Sequence, residues 1–155
     1  MAVNTRTRGF TLLELLVVVS IIALATAGVS LSLRDSDSTA LENESLRLAA
    51  LLESARAQSR ASGVPVRWKP NGEGFEFQGI TSRSKSADSL TRPRSWLHPE
   101  TRVRVVQPPG ASELLLGPEP LIAAQRIELA RGEQRLVLGT DGLAPFAVIA
   151  EPATP

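Results

Sequence analysis

Apolar residues are concentrated near the start of this 155-residue chain. No charged side chain lies between Glu14 and Arg34, and the residues between them are apolar, small or hydroxylated. A helix needs about 20 apolar residues, at a rise of about 1.5 Å each, to cross a bilayer. The pattern therefore predicts a membrane-spanning helix that ends near Leu33. Arg6 and Arg8 carry the only charges in the leader that precedes it, and the positive-inside rule keeps this short end in the cytoplasm.

Residues 40–61 have the spacing of an amphipathic helix, with apolar residues on one stripe and charged residues largely off it. The polar run at residues 35–39 offers either helix caps or a break. Gly63, with Pro65 close behind, ends the helix. The predicted core stripe is Leu41, Leu48, Leu51, Leu52 and Ala55, and the predicted off-stripe charges are Glu42, Arg47, Glu53, Arg56 and Arg60.

From Val64 onward, glycine and proline divide the chain into short apolar or alternating runs. Residues 64–69 and 74–78 flank Asn71-Gly72, a strong hairpin-turn signal. Closely spaced short strands after a helical start predict an α+β fold in which two small antiparallel sheets follow the helix. The further predicted strands are residues 101–106, 112–116, 126–130, 134–138 and 146–149, with turns at 131–133 and 140–142.

Residues 81–95 are rich in serine and arginine, which predicts an exposed, mobile loop. Trp96, Leu97 and Pro99 are expected to return the chain to the core. The basic residues near this loop have two interpretations: a surface that binds anions or a partner, or a solvated loop and strand face. These residues are Arg83, Lys85, Arg92, Arg94, Arg102 and Arg104.

The composition argues against most kinds of site chemistry. The chain has no cysteine, one histidine and a formal net charge of +1, which excludes a disulfide scaffold, a zinc–thiolate site and a cysteine nucleophile. His98 has no second histidine or carboxylate at metal-ligand spacing, and Glu73 and Glu76 flank a turn without further catalytic partners. The glycines at 72–74 and 139–142 lack the context of a phosphate loop. We therefore expect a protein that is not an enzyme and that holds no metal and no cofactor.

Three interpretations of the N-terminus compete. A secretory signal would be cleaved after Ala27, at an Ala-x-Ala site, and would release a soluble secreted protein. An ordinary single-pass anchor would keep the segment in place. Both leave Glu14 unexplained, because a carboxylate inside an apolar segment costs about 2.5 to 3.5 kcal/mol on insertion scales.

The third interpretation comes from residues 8–17, Arg-Gly-Phe-Thr-Leu-Leu-Glu-Leu-Leu-Val. This run closely resembles the processing motif of type IV prepilins and type II secretion pseudopilins. The resemblance implies cleavage by a prepilin peptidase between Gly9 and Phe10, N-methylation of Phe10, and a single-pass anchor in the bacterial inner membrane. The N-terminus would be cytoplasmic and the C-terminal domain periplasmic. It also implies that Glu14 neutralises the Phe10 amine of a neighbouring subunit during assembly, or holds the amine of its own chain while the subunit waits in the membrane.

Two more segments narrow the class. Residues 48–66 and 135–149 are similar to the helix end and the closing strands of H-type minor pseudopilins and their FimT-like relatives. The absence of cysteine disfavours a major type IV pilin, since those proteins commonly close a C-terminal loop with a disulfide. The resemblance implies a structural subunit of the periplasmic pseudopilus of a type II secretion system, which supports export of folded proteins across the outer membrane. Its implied partners are other pseudopilins, the prepilin peptidase, the inner-membrane assembly platform and secreted substrates.

The organisation that follows is a cleaved leader at residues 1–9, a membrane and filament-core helix at 10–33, an amphipathic helix at 34–62 and a β domain at 63–155. The alternative function is that of a FimT-like minor type IV pilin that binds DNA for uptake. That function requires the basic residues to share one connected face, because phosphate binding depends on clustered cations.

Overall fold

The computed structural model describes residues 11–80 and 90–149, without the side chains of residues 27–35. The chain divides into two compact units, Met1–Asp35 and Ser36–Pro155. Helix α1 spans Leu12–Ser62, and Gly63 follows it at a φ of 70°, a left-handed conformation suited to glycine. The predicted end of the helix is thereby confirmed.

Residues 35–39 do not interrupt α1, so the predicted cap or break is wrong. Serine and aspartate are only mildly unfavourable inside a helix, and a tertiary contact easily outweighs that preference. Such a contact exists here, because the Asp37 carboxylate accepts a hydrogen bond from Arg131 Nε at 2.7 Å.

Within residues 11–80 and 90–149, eight strands follow the helix: β1 Val66–Pro70, β2 Gly74–Gln78, β3 Arg94–Ser95, β4 Arg102–Gln107, β5 Leu114–Leu116, β6 Gln125–Arg131, β7 Gln134–Thr140 and β8 Ala147–Ile149. They form two four-stranded sheets with the orders β3-β2-β1-β5 and β4-β6-β7-β8. Every pairing is antiparallel. We call the first sheet A and the second sheet B. The predicted α+β fold with two small antiparallel sheets is confirmed.

The predicted hairpin forms between β1 and β2, with Pro70 opposite Phe75. Its turn is set by Asn71, whose side-chain oxygen accepts hydrogen bonds from the backbone N–H groups of Glu73 at 2.9 Å and Gly74 at 2.7 Å. An asparagine that binds the backbone two and three residues ahead defines a turn without requiring a positive φ. The turn signal in the sequence therefore works through the asparagine side chain.

The core of the second unit lies between α1 and the inner faces of the sheets. Leu41, Leu48, Leu52 and Ala55 are buried and Leu51 is partly buried, as the helical stripe predicts. These side chains belong to one apolar cluster with residues of both sheets. From sheet A come Val66, Trp68, Phe75, Phe77, Leu114 and Leu116, and from sheet B come Ile127, Leu129 and Leu138.

The chain returns to the core at Trp96, whose ring centroid lies 4.9 Å from that of Phe75. Leu97 and Pro99 are exposed, so that part of the prediction is wrong. The backbone of Leu97 has a different task, since its N–H donates to Glu44 Oε2 at 2.6 Å. The contact fixes the chain at this point while the leucine side chain stays outside.

Candidate functional site

The start of α1 carries the first candidate site. Thr11 precedes the helix and caps it, because its side-chain oxygen accepts the N–H of Glu14 at 3.2 Å and its carbonyl accepts the N–H of Leu15 at 3.1 Å. Glu14 lies in the first turn with an exposed side chain, where the positive end of the helix dipole favours a carboxylate. The predicted cleavage residues, Gly9 and Phe10, lie outside the described residues.

Apolar side chains cover the helix after Glu14. Leu12 is 87% exposed, and the large apolar residues from Leu13 to Leu24 are exposed as well. The hydroxyl groups among them are satisfied by the helix itself: Ser20 donates to the carbonyl of Leu16 at 2.8 Å, and Thr26 to that of Ala23 at 2.9 Å. Self-satisfied hydroxyls suit an apolar environment.

Among the residues described, no helix meets the length and apolarity required to cross a membrane.

The six basic residues predicted near the Ser/Arg loop are not on one element. Arg92 is exposed in a turn and Arg94 belongs to β3 at the edge of sheet A. Arg102 and Arg104 belong to β4 at the edge of sheet B. The remaining two, Arg83 and Lys85, lie outside the described residues.

Sheet B instead brings together a basic surface from three strands. Along β4 and β6 the residues alternate, with Val103, Val105, Ile127 and Leu129 toward the core and the arginines between them exposed. The register places Arg104 opposite Glu128 and Arg102 opposite Ala130, which in turn faces Arg135 on β7. We call this outer surface the arginine face. It consists of Arg102, Arg104, Arg126, Arg135 and Glu128.

Glu128 organises the charges of the arginine face. Its two carboxylate oxygens accept hydrogen bonds from Arg104 Nε at 3.0 Å and Nη2 at 2.8 Å, and Arg135 Nη1 lies 3.7 Å away. The hydrogen bond from Arg104 holds the pKa of Glu128 below its usual range, against the effect of its partial burial. The same pair raises the pKa of Arg104. A depressed carboxyl pKa means that the pair stabilises the fold above the ordinary pKa of glutamate and is lost as pH falls through the folded value.

Comparisons with known proteins agree with this architecture. Residues 4–30 match the family model of the prokaryotic N-terminal methylation motif. The fold is similar to that of the type IV minor pilin FimU of Pseudomonas aeruginosa in two crystal forms. One, in space group P65, has a TM-score of 0.51 at 12% identity and covers 70% of this chain and 92% of that one. The other, in space group P21, has a TM-score of 0.50 at 13% identity and covers 79% and 92%. No curated protein matches the chain.

The chain therefore combines an N-terminal methylation motif with a pilin-like fold. The methylation motif implies processing by the prepilin peptidase, an inner-membrane anchor and a periplasmic domain.

The protein also buries a charged side chain that the helical pattern placed off the core stripe. Arg56 was predicted to lie off the core stripe, yet it is 1% exposed. Its guanidinium donates to the carbonyls of Gly142 at 2.6 Å, Pro120 at 3.1 Å and Ala144 at 3.4 Å. A long cation can be buried where backbone carbonyls replace its water. The sequence signal was absent, because those carbonyls come from segments more than 60 residues away.

Two glutamates of α1 also bind segments that connect the strands, by accepting hydrogen bonds from backbone N–H groups. Glu44 is fully buried and accepts from Leu97 N and from Arg47 at 2.9 Å. Glu53 accepts from the N–H of Phe146 at 3.0 Å. These two carboxylates and Arg56 hold connecting segments of the β domain against α1. Their role is therefore to stabilise the fold.

Proposed function

We propose that this pilin-like chain is an H-type minor pseudopilin, a structural subunit of the pseudopilus of a type II secretion system. The proposal rests on one observation: a methylation motif at residues 4–30 precedes a pilin-like fold. In this proposal residues 1–9 are the cleaved leader, 10–33 the membrane and filament-core helix, 34–62 the amphipathic helix and 63–155 the periplasmic domain.

The exposed apolar face of α1 supports a role in assembly. A contiguous apolar surface of this length is unfavourable in water, and it becomes favourable when lipid or the helices of other subunits cover it. Before assembly the segment would lie in the inner membrane, and after assembly it would pack against other pseudopilins and the assembly platform. No catalytic group is required for either state.

Glu14 has a specific part in this proposal. After cleavage, the amine of Phe10 would lie four positions before Glu14 in the sequence, and a helix extended to Phe10 in the filament would place both groups on one side. The carboxylate would neutralise the amine of a neighbouring subunit as helices stack. Because the surroundings are apolar, the attraction is stronger than in water, although both charges must lose their hydration.

The first prediction tests processing and assembly separately. The intact mass of the purified chain should correspond to a protein that begins at N-methylated Phe10. The Glu14→Ala variant should also begin at N-methylated Phe10, with a mass lowered only by the substitution itself, because the cleavage residues are unchanged, yet it should fail to co-purify with partner pseudopilins. Glu42→Ala, an exposed glutamate farther along the same helix, is the matched control and should assemble normally.

Each of these expected results has an outcome that would contradict it. A mature chain that begins at Gly28 would identify a secreted protein and contradict the whole proposal. Normal co-purification of the Glu14→Ala variant would remove Glu14 from assembly while leaving the processing intact.

The arginine face favours a second candidate, a minor type IV pilin that binds DNA. The FimU structures are described as those of a type IV minor pilin, and four arginines against one glutamate form a surface suited to phosphates. Arg126 and Arg135 contribute to it from strands distant in sequence from the predicted basic loop. Exposed arginines bind phosphate bidentately without a preformed pocket.

The second prediction follows from the salt dependence of phosphate binding. Under this candidate, fluorescence anisotropy should detect a duplex oligonucleotide bound by the detergent-solubilised chain. Arg126→Gln with Arg135→Gln should weaken affinity and reduce the slope of log K against log salt by about 1 per lost phosphate contact. Arg60→Gln with Arg67→Gln is the matched control, since it removes two exposed arginines outside the arginine face. The absence of any binding at low salt would eliminate the candidate.

A further inference from the structure

A groove of about 420 Å³ lies beside β5, the edge strand of sheet A. Its walls are mainly apolar and include Pro108, Leu115, Leu121 and Ile122. Leu115 is 51% exposed and Leu121 is 64% exposed. Large apolar side chains that border a concave surface commonly mark a place where another molecule binds.

The polar lining of this groove has one chemical character. Its two charged residues, Glu113 and Glu119, are both acidic. Its floor includes Gln125, which is 97% buried: its Nε2 donates to the carbonyl of Leu115 at 2.7 Å, while its Oε1 has no hydrogen-bond partner among the described residues. A buried acceptor without a donor is costly. The groove therefore offers two carboxylates as acceptors and negative charge, whereas Gln125 Oε1 is covered by the fold.

Both walls of the groove are held in place. Arg56 donates to the carbonyl of Pro120, and the N–H of Ile122 donates to the carbonyl of Gly142 at 3.3 Å, so the outer wall is tied to the domain. The inner wall is β5, which pairs with β1. A groove with fixed walls binds at a lower ordering cost than a mobile one.

The way in which an occupant enters is also restricted. Gln125 covers the carbonyl of Leu115, so the outer edge of β5 cannot add a full strand at that position. An occupant must therefore bind through its side chains. Arg67 lies 3.6 Å from Glu113, but both side chains are well exposed, and an exposed pair of this kind is weak enough to be replaced.

We propose that this groove binds a segment of a partner protein in which a lysine or arginine stands between apolar residues. The cation would pair with Glu113 and Glu119, and the flanking apolar side chains would cover Leu115 and Leu121. Charge complementarity selects this occupant over an acidic or purely apolar one. The proposal goes beyond the filament role, because it concerns residues 113–125 alone and holds whether or not the leader is processed.

Two short peptides test the groove in the full-length chain, labelled with ¹⁵N and held in detergent micelles. The first is acetyl-Ala-Leu-Arg-Leu-Ala-amide, and the second replaces arginine with glutamate. The arginine peptide at millimolar concentration should shift the backbone amide signals of residues 113–125, and the glutamate peptide should not. Glu113→Gln with Glu119→Gln should weaken the dissociation constant about tenfold, because it removes both charges and keeps the side-chain size.

Glu42→Gln with Glu73→Gln is the matched control, since it removes two exposed carboxylates outside the groove and should leave the dissociation constant unchanged. No shifts with the arginine peptide, equal binding of both peptides, or an unchanged constant in the groove variant would each overturn the proposal. Shifts at residues 113–125 that grow with protein concentration alone would identify a second copy of the chain as the occupant, which also contradicts it. Because no readout depends on cleavage at Gly9, failure here leaves the proposed function standing.

Discussion

Arg56 is the side chain that joins two connecting segments, β5–β6 and β7–β8, to α1. Its guanidinium bonds three carbonyls and lies 3.8 Å from the Glu53 carboxylate. A buried cation is tolerated only when such partners replace its hydration. Removing it leaves three carbonyls of two segments without their donor.

The third prediction is that Arg56→Met lowers the free energy of unfolding by about 3 kcal/mol, because removal of one partner from a buried ionic network has that order of cost. Trp68 and Trp96, both buried in the core, report unfolding by fluorescence in a urea titration. Arg60→Met is the matched control, since Arg60 is exposed one turn later on α1. Equal midpoints for the two variants would show that the Arg56 network contributes little.

Among the elements, the short strand β3 depends on a close approach to β2. Gly74 pairs with Ser95, and a methyl group at position 74 would overlap the carbonyl of Arg94. The backbones of the two strands meet at this point because glycine has no side chain. The neighbouring Gly72, in the turn, has open space around its Cβ position and no positive φ.

The fourth prediction compares alanine at these two glycines. Gly74→Ala should cost about 2 kcal/mol or more of unfolding free energy, because the backbone of β3 must move. Gly72→Ala should be neutral or stabilise by about 0.5 kcal/mol, since it only restricts the unfolded chain. Tryptophan fluorescence in urea measures both, and Trp96, next to β3, adds a local signal. A Gly74→Ala variant as stable as Gly72→Ala would contradict the close approach.

The strands that could be predicted are those with their own alternation. In β6, Ile127 and Leu129 alternate with polar residues and pack inward, whereas β7 has a consecutive apolar run at residues 136–138, and a local pattern suffices to find both strands. Strand β3 has two residues and no alternation, so nothing in its sequence distinguishes it from the surrounding loop. Its existence depends on Gly74, twenty positions earlier.

The residues of the candidate sites also divide into those that a local sequence pattern identifies and those that only the fold brings together. Thr11 and Glu14 belong to a short contiguous motif, which the sequence contains completely. The arginine face could not be predicted, because Arg104 and Arg135 reach Glu128 only through the register of three strands. The burial of Arg56 depends on carbonyls, which have no sequence signature at all.

At the level of the whole molecule, all residues of the apolar core belong to the second unit, from Ser36 to Pro155. That unit contains both sheets and the amphipathic part of α1. A unit of this size with its own core is expected to fold independently.

The fifth prediction is that a chain that begins at Ser36 folds without detergent and unfolds in urea with the same tryptophan midpoint as the full-length chain. Far-ultraviolet circular dichroism should retain the helical signal of residues 36–62. A fragment with an expanded hydrodynamic radius and solvent-exposed tryptophans would show that the first unit is required for the core.

The polar contacts of α1 have a mechanical consequence. They occur along about 30 Å of helix, at 1.5 Å per residue, and they join the helix to three parts of the β domain: the β3–β4 connection, the end of β6 and the β7–β8 connection. A force directed along the helix axis would act on all four contacts at the same time, in shear. The contacts would therefore share the load instead of breaking one after another. A subunit pulled by its helix would thus carry its β domain with it. The contacts are Asp37–Arg131, Glu44–Leu97, Glu53–Phe146 and Arg56–Gly142.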